Sequence, residues 1–229
     1  MFKNLAHTLM AHRRNNTLLA LLLISSTSLI LIAIRLFLAE PSRAYAFLVW
    51  NLFLAWIPYG IGLLLLIYHP RITSRWALSA IVLLWILFFP NAPYIATDFF
   101  HFGQKPHIPV WFDLIMLFSF AWSGLLLGLV SLRDVHIVIA QKTNHFLGWL
   151  FVVMAILFGA MGVYMGRYLR WNSWDVFIDP IELLHDLTAR FMYPSQDWRA
   201  WGLTVAFSFF LGAAYVTLLL LMKNQPRES

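Results

Sequence analysis

The chain contains no cysteine. That excludes disulfide staples, a cysteine nucleophile and any thiolate metal centre. Charge is scarce as well. Asp, Glu, Lys and Arg make up 11% of 229 residues, less than half the share usual in a soluble domain. Apolar residues fill 61% of positions and the mean hydropathy is +0.74. A surface so poor in charge needs lipid around it. The net charge of +6 would point to nucleic acid in a soluble protein. In a membrane protein, basic loops held on the cytoplasmic side account for it, so membrane lipids and no nucleic acid are the expected partners.

A membrane-spanning helix needs about 20 mostly apolar residues. Six runs meet that length: 17–38, 45–68, 76–100, 110–132, 146–168 and 201–222. They are continuous and Leu-rich, whereas barrel strands alternate in short segments. The expected fold is all-α, a polytopic bundle forming one transmembrane domain over 1–229. The first run has signal-peptide features, with His12-Arg13-Arg14 before it and Ala44-Tyr45-Ala46 after it. It is too long for an ordinary signal-peptide core, so it reads as an uncleaved helix.

Lys and Arg set the expected orientation. With the N-terminus inside, nine basic residues fall in inner loops and tails and four (Arg43, Lys105, Arg190, Arg199) in outer loops. Arg35, Arg167 and Arg170 sit at outer helix ends. Both termini are therefore expected in the cytoplasm. The one long connection, 171–200, holds a short helix over 180–191 opened by Pro180. Ile181, Leu184, Leu187 and Phe191 share one face of it. Such a helix either lies on the outer membrane surface or caps the bundle.

Polar residues within or beside the spans crowd the outer half, and the inner halves read as almost purely apolar. Ionisable groups at membrane depth usually face the bundle, pair and serve function. The sharpest local signal is Phe89-Pro90-Asn91-Ala92-Pro93-Tyr94, about 21 Å into the third span at 1.5 Å per residue. Both prolines remove a backbone donor. Two outcomes fit. Asn91 could cap a second half-helix whose N–H groups face a ligand, or the helix could kink with Asn91 satisfying the freed carbonyls.

Beyond the break, Tyr94, Asp98 and His101 form one helical stripe. Asp98, His101 and Asp113 are the candidate acid, base or ligands of one divalent metal, with His107, Asp175 or Glu182-x-x-His185 as further ligands. A structural polar network fits the same residues. Arg167 and Arg170 suit a phosphate or carboxylate, either on a lipid or on Asp98, Asp113 and Asp175. Asn51, Asn91, Tyr94, Asn172, Trp174 and Asp175 complete the candidate ligand-binding set. Small residues at Ser119, Ser123, Gly124 and Gly128, and at Gly159, Gly162 and Gly166, read as close-packing faces.

Four strings carry a resemblance: Trp50-Asn51-Leu52-Phe53-Leu54-Ala55-Trp56-Ile57-Pro58, Phe88-Phe89-Pro90-Asn91-Ala92-Pro93-Tyr94, Trp111-Phe112-Asp113-Leu114 through Gly124, and Gly166-Arg167-Tyr168-Leu169-Arg170-Trp171-Asn172-Ser173-Trp174-Asp175. Together they resemble a family of bacterial multi-pass membrane proteins catalogued as domain of unknown function family thirteen-sixty-one. The resemblance runs from Tyr45 to Leu221 and implies a bacterial cytoplasmic membrane, but no activity. Three functions remain open. One is an outer pocket that binds an anionic lipid or amphiphile without chemistry. The others are a hydrolase or transferase acting on a lipid-linked substrate and a proton-coupled transporter.

Overall fold

The computed structural model describes residues 2–38, 45–103, 108–192 and 198–223. Helices in chain order are α1 (Phe2–Leu38), α2 (Phe47–Tyr68), α3 (Arg75–Phe88), the short α4 (Asn91–Tyr94), α5 (Val110–Lys142), α6 (His145–Tyr164), α7 (Asp175–Ile178), α8 (Pro180–Met192) and α9 (Trp198–Lys223). A 3-10 segment, Ile95–His101, continues α4, and a π-helical turn, Met165–Leu169, ends α6. Among the described residues there is no strand. Six stretches are long and apolar enough to cross a membrane: 14–38, 47–71, 75–101, 110–142, 145–169 and 198–223. They match the six expected spans, and the protein is an all-helical multi-pass membrane protein.

α5 is the central helix. It packs along α2 and touches α1, α4, α6 and α9. Large apolar side chains such as Leu23, Phe37, Phe209 and Leu221 remain exposed on the outer helices, where lipid replaces water as their solvent. One apolar core joins α1, α2 and α5 through Leu48, Leu52, Met116 and Phe120. A second joins α3, α5, α6 and α9 around Trp85, Phe89, Leu132 and Tyr215.

The two proline positions produce a kink, not a capped half-helix. Phe89 and Pro90 keep right-handed helical angles, and Asn91 makes no cap bond. Its amide nitrogen instead donates to the carbonyl of Phe88 at 2.9 Å. The Leu87 carbonyl accepts from the Ser173 hydroxyl at 2.9 Å. Side chains thus take over bonds that the prolines disrupt. Glycines make room for the bend on both sides. A Cβ at Gly124 of α5 would lie 2.5 Å from the Ala92 carbonyl oxygen. On α6, a Cβ at Gly159 would meet the Phe89 ring at 2.7 Å, and one at Gly162 would meet Pro90 at 2.6 Å. The small-residue faces are close-packing faces, and the object packed between them is the kink.

The expectation of apolar inner halves is corrected by α5, which runs ten residues past 132. Asp134 and His136 are consequently buried within the bundle. His136 Nδ1 is 2.7 Å from the Tyr215 hydroxyl of α9, and Arg133 lies 3.4 Å from Asp134. Arg133 is therefore a helix residue and not part of a loop. Nearby, Ser131 Oγ accepts from the Trp85 indole at 2.7 Å and donates to the Pro58 carbonyl at 2.7 Å.

Candidate functional site

Polar side chains gather at the end of the bundle reached by the ends of the first, third and fifth spans. The 3-10 segment after the kink turns Asp98 inward, where only 1% of it is exposed. There its carboxylate forms an ion pair with Arg167 and accepts from the Asn51 amide at 2.9 Å. Arg167 sits on the π-helical turn, a local widening of the helix often found at functional sites. It also donates from Nε and a terminal nitrogen to Thr97 Oγ1 at 2.9 and 2.7 Å. Its guanidinium stacks over the Tyr94 ring, 4.5 Å from the centroid. Four elements (α2, α4, the 3-10 segment and the π turn) meet on this pair.

Asp113 belongs to a different pair. Its carboxylate faces Arg35 of α1, with Nε to Oδ1 at 2.9 Å, and both side chains are almost wholly buried. Arg35 also lies 4.7 Å from the centre of the Tyr45 ring. Burial first, then the charge of Asp113, raise the Tyr45 hydroxyl pKa above its ordinary value against the opposing effect of Arg35. The hydroxyl stays a neutral donor, and it donates to the His101 carbonyl at 3.0 Å. This corrects the expectation of one Asp98–His101–Asp113 cluster. Each aspartate is taken by its own arginine, while the His101 side chain is exposed and packs on Phe47 at 4.9 Å. Among the described residues no three His, Asp or Glu side chains are grouped to hold a metal, and Glu182 and His185 lie exposed on α8. His107 lies outside the described residues.

Beside the Asp98–Arg167 pair is a cavity of about 300 Å³. Its apolar wall includes Leu54, Ile86, Leu87, Phe158 and Met161. Its polar lining comes from Asn51, Asn91, Tyr94, Asn172 and Ser173. Leu183 and Leu187 of α8 form the roof. The Trp171 indole donates to Asp186 at 2.8 Å and the Trp201 indole to the Arg190 carbonyl at 3.2 Å, fastening α8 to the bundle. The face expected from spacing is split: Leu187 points in, whereas Ile181 and Leu184 are exposed. The Phe191 side chain lies outside the description.

Of the expected ligand-binding residues, Asn51, Asn91, Tyr94 and Asn172 line the cavity, and Arg167 lies against Tyr94. Arg170 does not line it. That residue is exposed and adopts left-handed backbone angles (φ 62°) where α6 ends, a place usually held by glycine. Trp174 packs edge-on against Trp50, and Asp175 accepts from the Asn172 backbone amide at 2.6 Å. Sequence reasoning missed Thr97, Ser173 and the partnership of Arg35. Arg35 was visible as a charge inside a span; the two hydroxyls carried no signal.

Six apolar spans, a glycine-seated kink and two buried ion pairs near a roofed cavity define a polytopic helical membrane protein with a polar end. No curated protein and no solved structure matches the chain. Its family is shown by a model that matches residues 50–213: the chain belongs to the family described as "Protein of unknown function (DUF1361)".

Proposed function

We propose that the cavity binds a membrane amphiphile, with the polar part of the ligand against the asparagines and its chain along Leu54, Ile86 and Leu87. The observation that carries this reading is the composition of the lining. Apolar wall and polar lining adjoin within one space of about 300 Å³ roofed by a short helix, the makeup of a small-ligand site. The exposed Ile181 and Leu184 support access from lipid, because they give α8 a second apolar face turned away from the bundle. With both termini in the cytoplasm, the cavity opens toward the outer leaflet. Binding without turnover is favoured over a hydrolase, a transferase or a proton-coupled transporter. Asp98 and Asp113 are engaged by arginines at the positions those chemistries would need free.

The test fills the cavity. Leu183→Trp enlarges a roof side chain that lines the cavity and packs on the Met161, Tyr164, Met165 and Ala200 cluster. Lipids retained through purification in mild detergent are compared by mass spectrometry between wild type and variant. A species held by wild type and lost from a folded Leu183→Trp protein supports the reading. Identical lipid profiles overturn it.

A further inference from the structure

The hydrogen-bonding state of the lining specifies the kind of head group, an inference that rests on the amphiphile reading. An amide facing a carbonyl or a carboxylate must present its nitrogen, because those oxygens only accept. That fixes three side chains. Asn51 donates to Asp98 at 2.9 Å. Asn91 spends both amide hydrogens, on the Phe88 carbonyl at 2.9 Å and on Ser173 Oγ at 2.8 Å. Asn172 donates to Asp175 at 3.3 Å. Ser173 gives its own hydrogen to the Leu87 carbonyl.

What remains on offer is mixed and uncharged: the amide oxygens accept, while the second amide hydrogens of Asn51 and Asn172 and the Tyr94 hydroxyl can donate. Among the described residues, none donates to the amide oxygens of Asn51, Asn91 or Asn172. None of the residues lining the cavity is charged. The nearby cation, Arg167, is neutralised by Asp98, and Arg170 stands outside the lining. A phosphate or carboxylate brings only acceptors, so it would leave the amide oxygens unmatched and find no positive charge to offset its desolvation. An ammonium would find no free carboxylate. Hydroxyl groups both donate and accept without charge and match this mixed lining.

We infer that the cavity selects an uncharged, hydroxyl-bearing head group, a polyol or sugar on an apolar chain, and discriminates against anionic heads. The arginines that made an anionic ligand attractive in the sequence serve the architecture of the site instead.

The absence of native cysteine makes the test clean. Leu87→Cys places one thiol in the cavity wall, and its labelling by a membrane-permeant maleimide reports occupancy. Two probes share the oleoyl chain and glycerol: monooleoylglycerol, and monooleoylglycerol phosphate, in which an anionic phosphate takes the place of one hydroxyl. Monooleoylglycerol is expected to protect the thiol at about tenfold lower concentration, the effect of one or two matched hydrogen bonds. Adding Asn172→Lys to the same protein replaces an acceptor by a cation and is expected to shift the preference toward the phosphate. Equal or stronger protection by the phosphate in the Leu87→Cys protein would overturn the head-group inference and leave amphiphile binding standing. Protection by neither probe, with the thiol reactive throughout, would overturn this inference, and retention of the same lipids by Leu183→Trp and wild type would separately remove the binding site itself.

Discussion

Cutting the Asp98–Arg167 pair from either side should give unequal results. Removing one partner of a buried ion pair costs about 3–5 kcal/mol, chiefly because the other charge is left without a counterpart. Here the survivors differ. In Arg167→Leu the stranded group is Asp98, with 1% of its side chain exposed and only Asn51 left to donate. Its cost belongs at the top of the range, about 4–5 kcal/mol. In Asp98→Leu the survivor is Arg167, which is 11% exposed, keeps the Thr97 hydroxyl and lies on the Tyr94 face. That variant should lose about 2–3 kcal/mol, a discount on the same range. The double variant strands no charge, only the Asn51 amide, and apolar replacement of a buried pair is often close to neutral. It should therefore be more stable than Arg167→Leu alone, with a coupling energy of at least about 2 kcal/mol in the double-mutant cycle. Denaturant unfolding in mixed micelles, followed by far-ultraviolet circular dichroism, measures all four proteins. Additive losses, or equal costs for the two single variants, would refute the reasoning.

Gly124→Ala should destabilise by about 1–3 kcal/mol in the same assay, because its Cβ meets a backbone oxygen that cannot rotate away. Gly60→Ala, with nothing within 4 Å, should instead stabilise by about 0.5–1 kcal/mol. Ser131→Ala strands the Trp85 indole in a fully buried position and should cost about 1–3 kcal/mol, with a shift in tryptophan fluorescence. Arg170→Gly relieves a left-handed residue and should raise thermal stability by about 0.5–1 kcal/mol. Orientation is readable with a membrane-impermeant maleimide on intact cells: Gly103→Cys should label and Thr143→Cys should not, and the opposite pattern would reverse the topology.

The spans were legible because burial in lipid demands length and apolarity that few other structures share. Where α5 ends was not. Arg133, Asp134 and His136 look like a loop by hydropathy, yet the helix continues because Tyr215 of α9 gives His136 a partner inside the bundle. The kink was readable from two prolines, and the role of Asn91 from its position between them. The pairing pattern was hidden for a different reason. Several arginines and aspartates were expected at one end, and nothing local says that Asp113 turns to Arg35, 78 residues away, while Asp98 turns to Arg167. Only the three-dimensional crossing of α1, α5 and α6 assigns them. Thr97 and Ser173 escaped because a hydroxyl in a helix or loop has no spacing rule to betray it.

The roof of the cavity belongs to the connection between the fifth and sixth spans, whereas the asparagines Asn51 and Asn91 belong to spans held by close backbone contacts. Floor and roof are thus under different constraints. A substitution in the floor disturbs the main cores of the bundle, whereas one at Leu183 or Leu187 falls on the smaller cluster of Met161, Tyr164, Met165 and Ala200. On the amphiphile reading proposed above, the space over the bound chain would be retuned through a single surface segment while Asn51 and Asn91 kept their places in the spans.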